Sequence, residues 1–300
     1  MRKGVVLVGI VLAASVAIGL GASAERLQVV ATTTIVGDVV RSVAGDGVEL
    51  HVLFSVNADP HSFVPTPSDV VMIENADVLF ISGAGLEASF EGVLASATGR
   101  VIDLSSRLAL RETGEVGSDE HDHEGHDPHV WFDPTNVMIW ADTVEAALGA
   151  LDPSNATRYA ANAAAYRSAL SELDSWIWER VASIPRDLRL LVTDHLAFGY
   201  FAARYGFTQV GSVFPGFSTL SEPSAREMAD LTDSIRTLGV PAIFVGTTVN
   251  PDVAEQLAAD MDIELVVLYT GSLSEPWGHA ATYIDLMRYN VEAIADRLNR

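Results

Sequence analysis

Along most of the chain, short β-branched and apolar runs alternate with longer stretches whose apolar residues recur every three to four positions. The first kind predicts strands over 27–32, 49–56, 77–82 and 100–104. The second predicts helices over 35–44, 67–75 and 135–148. Strands alternating with helices at this rhythm indicate a parallel sheet with helices on its faces. The pattern then changes. From Asp152-Pro153-Ser154, a cap with a proline suited to a first helical turn, no Gly or Pro occurs until after Ala182. Within that stretch Tyr159, Tyr166, Leu170, Leu173 and Ile177 form one apolar stripe, and Pro185 stops it. Beyond it the alternation resumes. Strands are expected at 189–193, 208–214, 242–246 and 264–268, and helices at 196–205, 223–238, 251–259 and 280–298. The expected fold class is α/β: two lobes, each a mainly parallel sheet flanked by helices, joined by one long helix.

The amino terminus changes the picture of where the chain works. Arg2 and Lys3 precede an apolar run over 5–20 and then Ala22-Ser23-Ala24, the order of a signal peptide cleaved after Ala24. The run is short for a span of roughly 20 residues, and no later segment is long and apolar enough to be one. The expected division is therefore a signal over 1–24, an N-terminal lobe over 25–151, a linking helix over 152–184 and a C-terminal lobe over 185–300. The 300 residues include no cysteine. Thiolate metal sites and a lipid-modified cysteine are thereby excluded, and an exported protein without disulfides must rest on ordinary cores. A periplasmic location fits best. The formal net charge of −22 disfavours nucleic acid and anionic membrane surfaces and suits cationic partners.

Candidate chemistry gathers on histidine. Asp59-Pro60-His61 follows the second expected strand, Asp127-Pro128-His129 precedes Val130-Trp131-Phe132, and Thr193-Asp194-His195 ends a strand of the second lobe. Proline stiffens two of these approaches, and ligand-binding groups of α/β sheets collect at strand ends. Imidazole is the commonest metal ligand, and a carboxylate close in sequence can orient the ring. Any one His alone reads more readily as a hydrogen-bonded structural residue than as a ligand. The recurrence of the pattern in both lobes favours one metal held in the cleft. The tract over 118–129 adds His121, His123 and His126 among acids and has no large apolar residue in its first ten positions. It reads as a solvated loop able to collect divalent metal weakly, or as a solubilising linker. His51, on an expected strand, reads as structural.

The segments D-P-H-S-F at 59–63, D-P-H-V-W-F-D-P at 127–134 and T-D-H-L-A-F-G-Y-F at 193–201 resemble signatures of the zinc- and manganese-binding proteins of ABC importers. E-P-S-A at 222–225 and T-V-N-P at 248–251 match as well. The resemblance covers essentially the whole chain after the signal. It implies two lobes bridged by a long helix, metal between the lobes, and delivery by a monomer to a membrane permease. It also implies His61, His129 and His195 as ligands. Manganese members usually carry Glu at the third position, so His195 favours Zn2+, as does the preference of zinc for nitrogen donors. Two positions depart from the pattern. Gly271 in Y-T-G-S-L stands where the resemblance implies an Asp ligand, and Gly246 stands where a Glu is common. The fourth donor is then water or a neighbour such as Glu222, Glu275 or His279. Alternatives are a manganese or iron importer component, an adhesin on the same scaffold, and a zinc hydrolase with three His ligands. The last lacks H-E-x-x-H and has only Glu222 to nominate as a base.

Overall fold

In the computed structural model, residues 26–112 and 125–299 are described; the expected signal, His121 and His123 lie outside them. The first half runs β1 (Leu27–Ala31), α1 (Thr34–Ala44), β2 (Val48–Val52), α2 (Pro67–Asn75), β3 (Val78–Ile81), α3 (Glu91–Leu94) and β4 (Arg100–Asp103). The strands form a parallel sheet of order β2-β1-β3-β4. Two helices follow, α4 (Pro134–Leu151) and α5 (Ala156–Ala182). The second half runs β5 (Leu190–Thr193), α6 (Gly199–Tyr205), β6 (Thr208–Ser212), α7 (Ala225–Leu238), β7 (Ala242–Gly246), α8 (Asp252–Met261), β8 (Glu264–Leu268) and α9 (Tyr283–Leu298). Its sheet repeats the first order, as β6-β5-β7-β8, again parallel. In an open sheet of this order the connections diverge beside the first strand of each half, at the carboxyl ends, which is where ligands bind.

Capping chemistry sets the element boundaries. Thr33 accepts from the Val36 amide to start α1. Thr66 with Asp69, and Ser224 with Glu227, form reciprocal capping boxes at α2 and α7. Several expectations shift for local reasons. The helix expected from 196 begins only at Gly199; ahead of it the Leu196 amide donates to the Gly216 carbonyl and the Ala197 amide to the His195 carbonyl. The strand expected to reach 56 ends at Val52, and the chain turns at Asn57, whose φ is +63°. Pro153 lies in a turn ahead of α5 instead of in its first turn, and Thr282 caps α9 inside the expected start. The short 3-10 turn Ala88–Phe90 and α3 carry too little periodicity to be anticipated.

The stripe on α5 is buried as expected, with Tyr159, Leu170, Leu173 and Ile177 at 0% exposure. It packs against α1 and α4 of the first lobe and α9 of the second. One hydrophobic cluster therefore runs without a break from Val29 on β1 to Leu298 on α9. Smaller clusters lie on the outer faces, under α2 in the first lobe and under α7 and α8 in the second. No helix of the described residues is long and apolar enough to cross a membrane.

Candidate metal centre

His61 lies in the loop after β2, His129 begins the 3-10 turn Val130–Phe132, and His195 lies just beyond the last residue of β5. The two sheets thus deliver the three rings from opposite sides. His61 Nε2 is 3.2 Å from His129 Nε2, which is 3.1 Å from His195 Nε2. Among the described residues, these three are the one group of His, Asp or Glu side chains whose donor atoms all lie within 4.8 Å of each other. Three nitrogens at zinc bond lengths of about 2.0–2.1 Å and tetrahedral angles are separated by about 3.3 Å, so the cluster has the dimensions of one ion's coordination sphere.

Each His is positioned by an Asp close before it. Asp59 Oδ1 accepts from the His61 amide at 3.0 Å, and Asp127 Oδ1 from the His129 amide at 3.0 Å. These are turns of the Asx type, with proline as the middle residue fixing φ. Asp194 Oδ1 accepts from the adjacent His195 amide at 2.7 Å. Two of the carboxylates also meet the ring: Asp127 Oδ1 is 2.9 Å from His129 Nδ1, and Asp194 Oδ1 is 2.8 Å from His195 Nδ1. With the proton on Nδ1, the Nε2 lone pairs of both rings converge at 3.1 Å. Two acceptors that close repel each other unless a cation lies between them.

Burial dominates the electrostatics. His129 and His195 are 1% and 2% exposed, while His61 is partly open to solvent. Burial first, and then the neighbouring His195, lowers His61 to about 4; burial and its two ring neighbours hold His129 well below the usual range. These two rings are neutral at pH 7 and ready to coordinate. The two buried carboxylates differ. Burial pushes Asp127 up to about 7, only partly opposed by the His129 amide and Arg111. Burial also pulls Asp194 upward, but His195 and the amides of Gly246 and His195 more than offset it and hold it below the usual carboxylate range.

The structure does not bring the other named candidates to this point. Glu222 and Glu275 are exposed on loops, and His279 is exposed with its ring stacked on Tyr289 at 5.7 Å. His126 is exposed in a bridge to Glu112. His51 sits on β2, 3.8 Å from Glu49, away from the cluster. A side chain on Gly271 would begin 2.8 Å from Pro60 Cδ, so the proline ring of the first His segment fills that space. At Gly246 the equivalent place is taken by Thr270 Oγ1 and Asp194 Oδ2. Residues without a sequence signal tie the site together across the lobes. Trp131 Nε1 donates to the Thr270 carbonyl at 3.0 Å, and Thr219 Oγ1 donates to Asp59 at 2.5 Å. The Asn57 amide donates to Ser272 Oγ at 3.0 Å. The only advance hint was that Trp131 stands two residues after a candidate ligand.

Residues 29–297 match the ZnuA family, described as zinc-uptake complex component A, periplasmic. The chain is 30% identical to the manganese-binding lipoprotein MntA of Halalkalibacterium halodurans, covering 94% of this chain and 92% of that one. It is 31% identical to the iron-binding protein YfeA of Yersinia pestis, over 91% and 86% of the two chains. Among solved structures, the periplasmic zinc-binding protein TroA of Treponema pallidum superposes with a TM-score of 0.85 at 28% identity, covering 92% of this chain and all of that one.

Proposed function

We propose that this chain, which belongs to the ZnuA family, is the capture component of an ABC metal importer, binding one Zn2+ through His61, His129 and His195 and delivering it to a membrane permease. The observation that carries this reading is the convergence of three imidazoles, with His129 Nε2 at 3.2 and 3.1 Å from the Nε2 atoms of His61 and His195, and with the Nδ1 atoms of His129 and His195 facing buried carboxylates. That arrangement is fixed by the fold and suits a cation as cargo. The carboxylates of Asp127 and Asp194 face the Nδ1 edges of two of the rings, where they orient the rings for a cation.

Zinc is the better fit because nitrogen donors suit it and manganese prefers oxygen. The relatives named for manganese and iron keep a second reading open, in which the same site carries Mn2+ or Fe2+. Location follows the sequence: export through a signal over 1–24 into the periplasm, as a monomer. MntA is named a lipoprotein, whereas the 300 residues of this chain include no cysteine.

Chelator competition on the mature, metal-free protein tests this reading. One equivalent of Zn2+ should bind tightly and Mn2+ far more weakly. His195→Ala should cost much more affinity than joint replacement of His121, His123 and His126 by Ala. The opposite ranking of those variants would move the site to the loop, and preference for Mn2+ would select the second reading.

A further inference from the structure

Among the described residues, the three most exposed large apolar side chains are Trp277 at 85%, Val64 at 79% and Leu220 at 65%. They are not scattered. Val64 lies three residues beyond His61 in the loop after β2, Leu220 in the loop after β6, and Trp277 in the loop after β8. All three loops leave the carboxyl ends of their strands, and they meet. Thr219, next to Leu220, donates to Asp59, and the Asn57 amide donates to Ser272 near the base of the Trp277 loop. The loop that carries His61 is therefore bonded to both of the others.

Each of these side chains stands on a fixed backbone. Phe63 stacks inward on Phe54 at 4.0 Å while the adjoining Val64 faces solvent. The Leu220 amide donates to Ser218 Oγ at 3.2 Å. The Trp277 loop is closed where the Ser274 amide donates to the Ala280 carbonyl, and turned at its tip where the Gly278 amide donates to the Glu275 carbonyl, both at 2.8 Å. Apolar groups already held in place bind at a lower entropic cost than groups that must first be ordered. Trp is also among the residue types that most often anchor interfaces.

Charge narrows the partner. Segments 53–66, 213–224 and 269–280 contain no Lys or Arg. Glu222 and Glu275 stand exposed, each two residues from Leu220 or Trp277. A two-fold contact between copies would bring the same acids together from both sides, and an anionic lipid surface would repel them. His61, on the middle loop of the three, is partly open to solvent, so whatever covers this face also covers the side from which the His cluster is reached.

We propose that Val64, Leu220 and Trp277 anchor the membrane permease, whose outward surface supplies apolar recesses for them and basic side chains opposite Glu222 and Glu275. This rests on the reading of the chain as the capture component of an importer.

The test is binding of the zinc-loaded mature chain to the importer of the same organism, permease with ATPase, in nanodiscs of phosphatidylethanolamine and phosphatidylglycerol. Trp277→Ala and Leu220→Ala should each weaken binding at least about tenfold, mainly through faster dissociation, with Zn2+ affinity in chelator competition unchanged. Joint replacement Glu222→Lys and Glu275→Lys should instead slow association. Trp178→Ala, at the exposed Trp of α5, should change neither. Native binding by the Trp277→Ala, Leu220→Ala double variant would overturn the proposal. Self-association that Trp277→Ala abolishes would assign the face to a second copy, and equal binding to empty nanodiscs would assign it to lipid; either would overturn it too. Failure of the native chain itself to bind the importer would refute the importer reading beneath it.

Discussion

Asp127 and Asp194 do the same thing to their histidines but are held differently, and the difference is measurable. Replacing either by Asn keeps the shape and removes the charge that raises ring basicity. Each change should weaken zinc binding by about 10–100-fold in chelator competition. Stability should separate them. Asp194 Oδ2 accepts the Gly246 amide at 2.7 Å, so in Asp194→Asn the new carboxamide either turns its NH2 toward that donor or gives up His195. Asp127 Oδ2 has no partner to lose. Thermal denaturation of the metal-free proteins should find Asp194→Asn less stable than Asp127→Asn by about 1–3 kcal/mol. Glu87 offers a second case, outside the His cluster. It is 4% exposed and accepts from Thr32 Oγ1 and the amides of Ser82 and Gly83, tying the loop after β3 to the end of β1. Gly83 is required in that loop, since φ is +81° and a Cβ would strike Asp103 Oδ1. Burial, only partly countered by those bonds, raises Glu87 from 4.5 to about 6. Between these values the folded state holds a proton that the unfolded state has released, so stability falls as pH rises through that window. The loss is about 2 kcal/mol, from roughly 1.4 kcal/mol per unit. Denaturant midpoints measured from about pH 4 to 7 should show the native chain losing about 2 kcal/mol more than Glu87→Gln over that range.

Among the elements, α5 carries the most consequence. Its stripe of Tyr159, Leu170, Leu173 and Ile177 was legible because 3.6-residue periodicity survives over 27 residues without a breaker. Truncating Leu170 to Ala, at 0% exposure, should cost about 2–5 kcal/mol. Because the cluster around it includes residues of both lobes, circular dichroism and tryptophan fluorescence should report one coincident unfolding transition, displaced as a whole. Two separate transitions would mean the lobes are independent. The strands were legible by the same logic, as apolar runs too short for helices. What stayed hidden involved partners distant in sequence. The helix expected from 196 starts at Gly199, after a segment whose Leu196 amide meets the Gly216 carbonyl. Gly271 gave notice that a side chain was missing, but not that Pro60, from the opposite half of the chain, would fill its place. The D-P-H repeats exposed the histidines because composition and spacing coincide there. Glu275 and His279 lie close to Gly271 in sequence and Glu222 lies in the E-P-S-A segment, but all three are exposed on loops.

At the scale of the whole molecule, the question is how a metal enters and leaves a site whose two halves are joined so firmly. The shared core around α5 resists a hinge, and α9 of the second lobe is fixed to α1 of the first where the Tyr283 amide donates to Asp38 at 2.9 Å. Near the metal the connections are lighter. They are hydrogen bonds made by loops: Thr219 to Asp59, the Asn57 amide to Ser272, and the Leu273 amide to Thr34 at the start of α1. Each replaces a bond to water at little net gain, so about 1 kcal/mol separates made from broken. The core is far more costly to rearrange, and motion should therefore be confined to the loops. Two results are expected. Solution X-ray scattering of metal-free and zinc-loaded protein should superimpose, since no wide closure accompanies binding. Thr219→Val, which frees Asp59 and the turn that carries His61, should speed zinc release about fivefold in stopped-flow exchange, the rate equivalent of about 1 kcal/mol, without moving the scattering curve. A large change of radius on metal binding would place the moving part in the α5 core, where these contacts argue it cannot be.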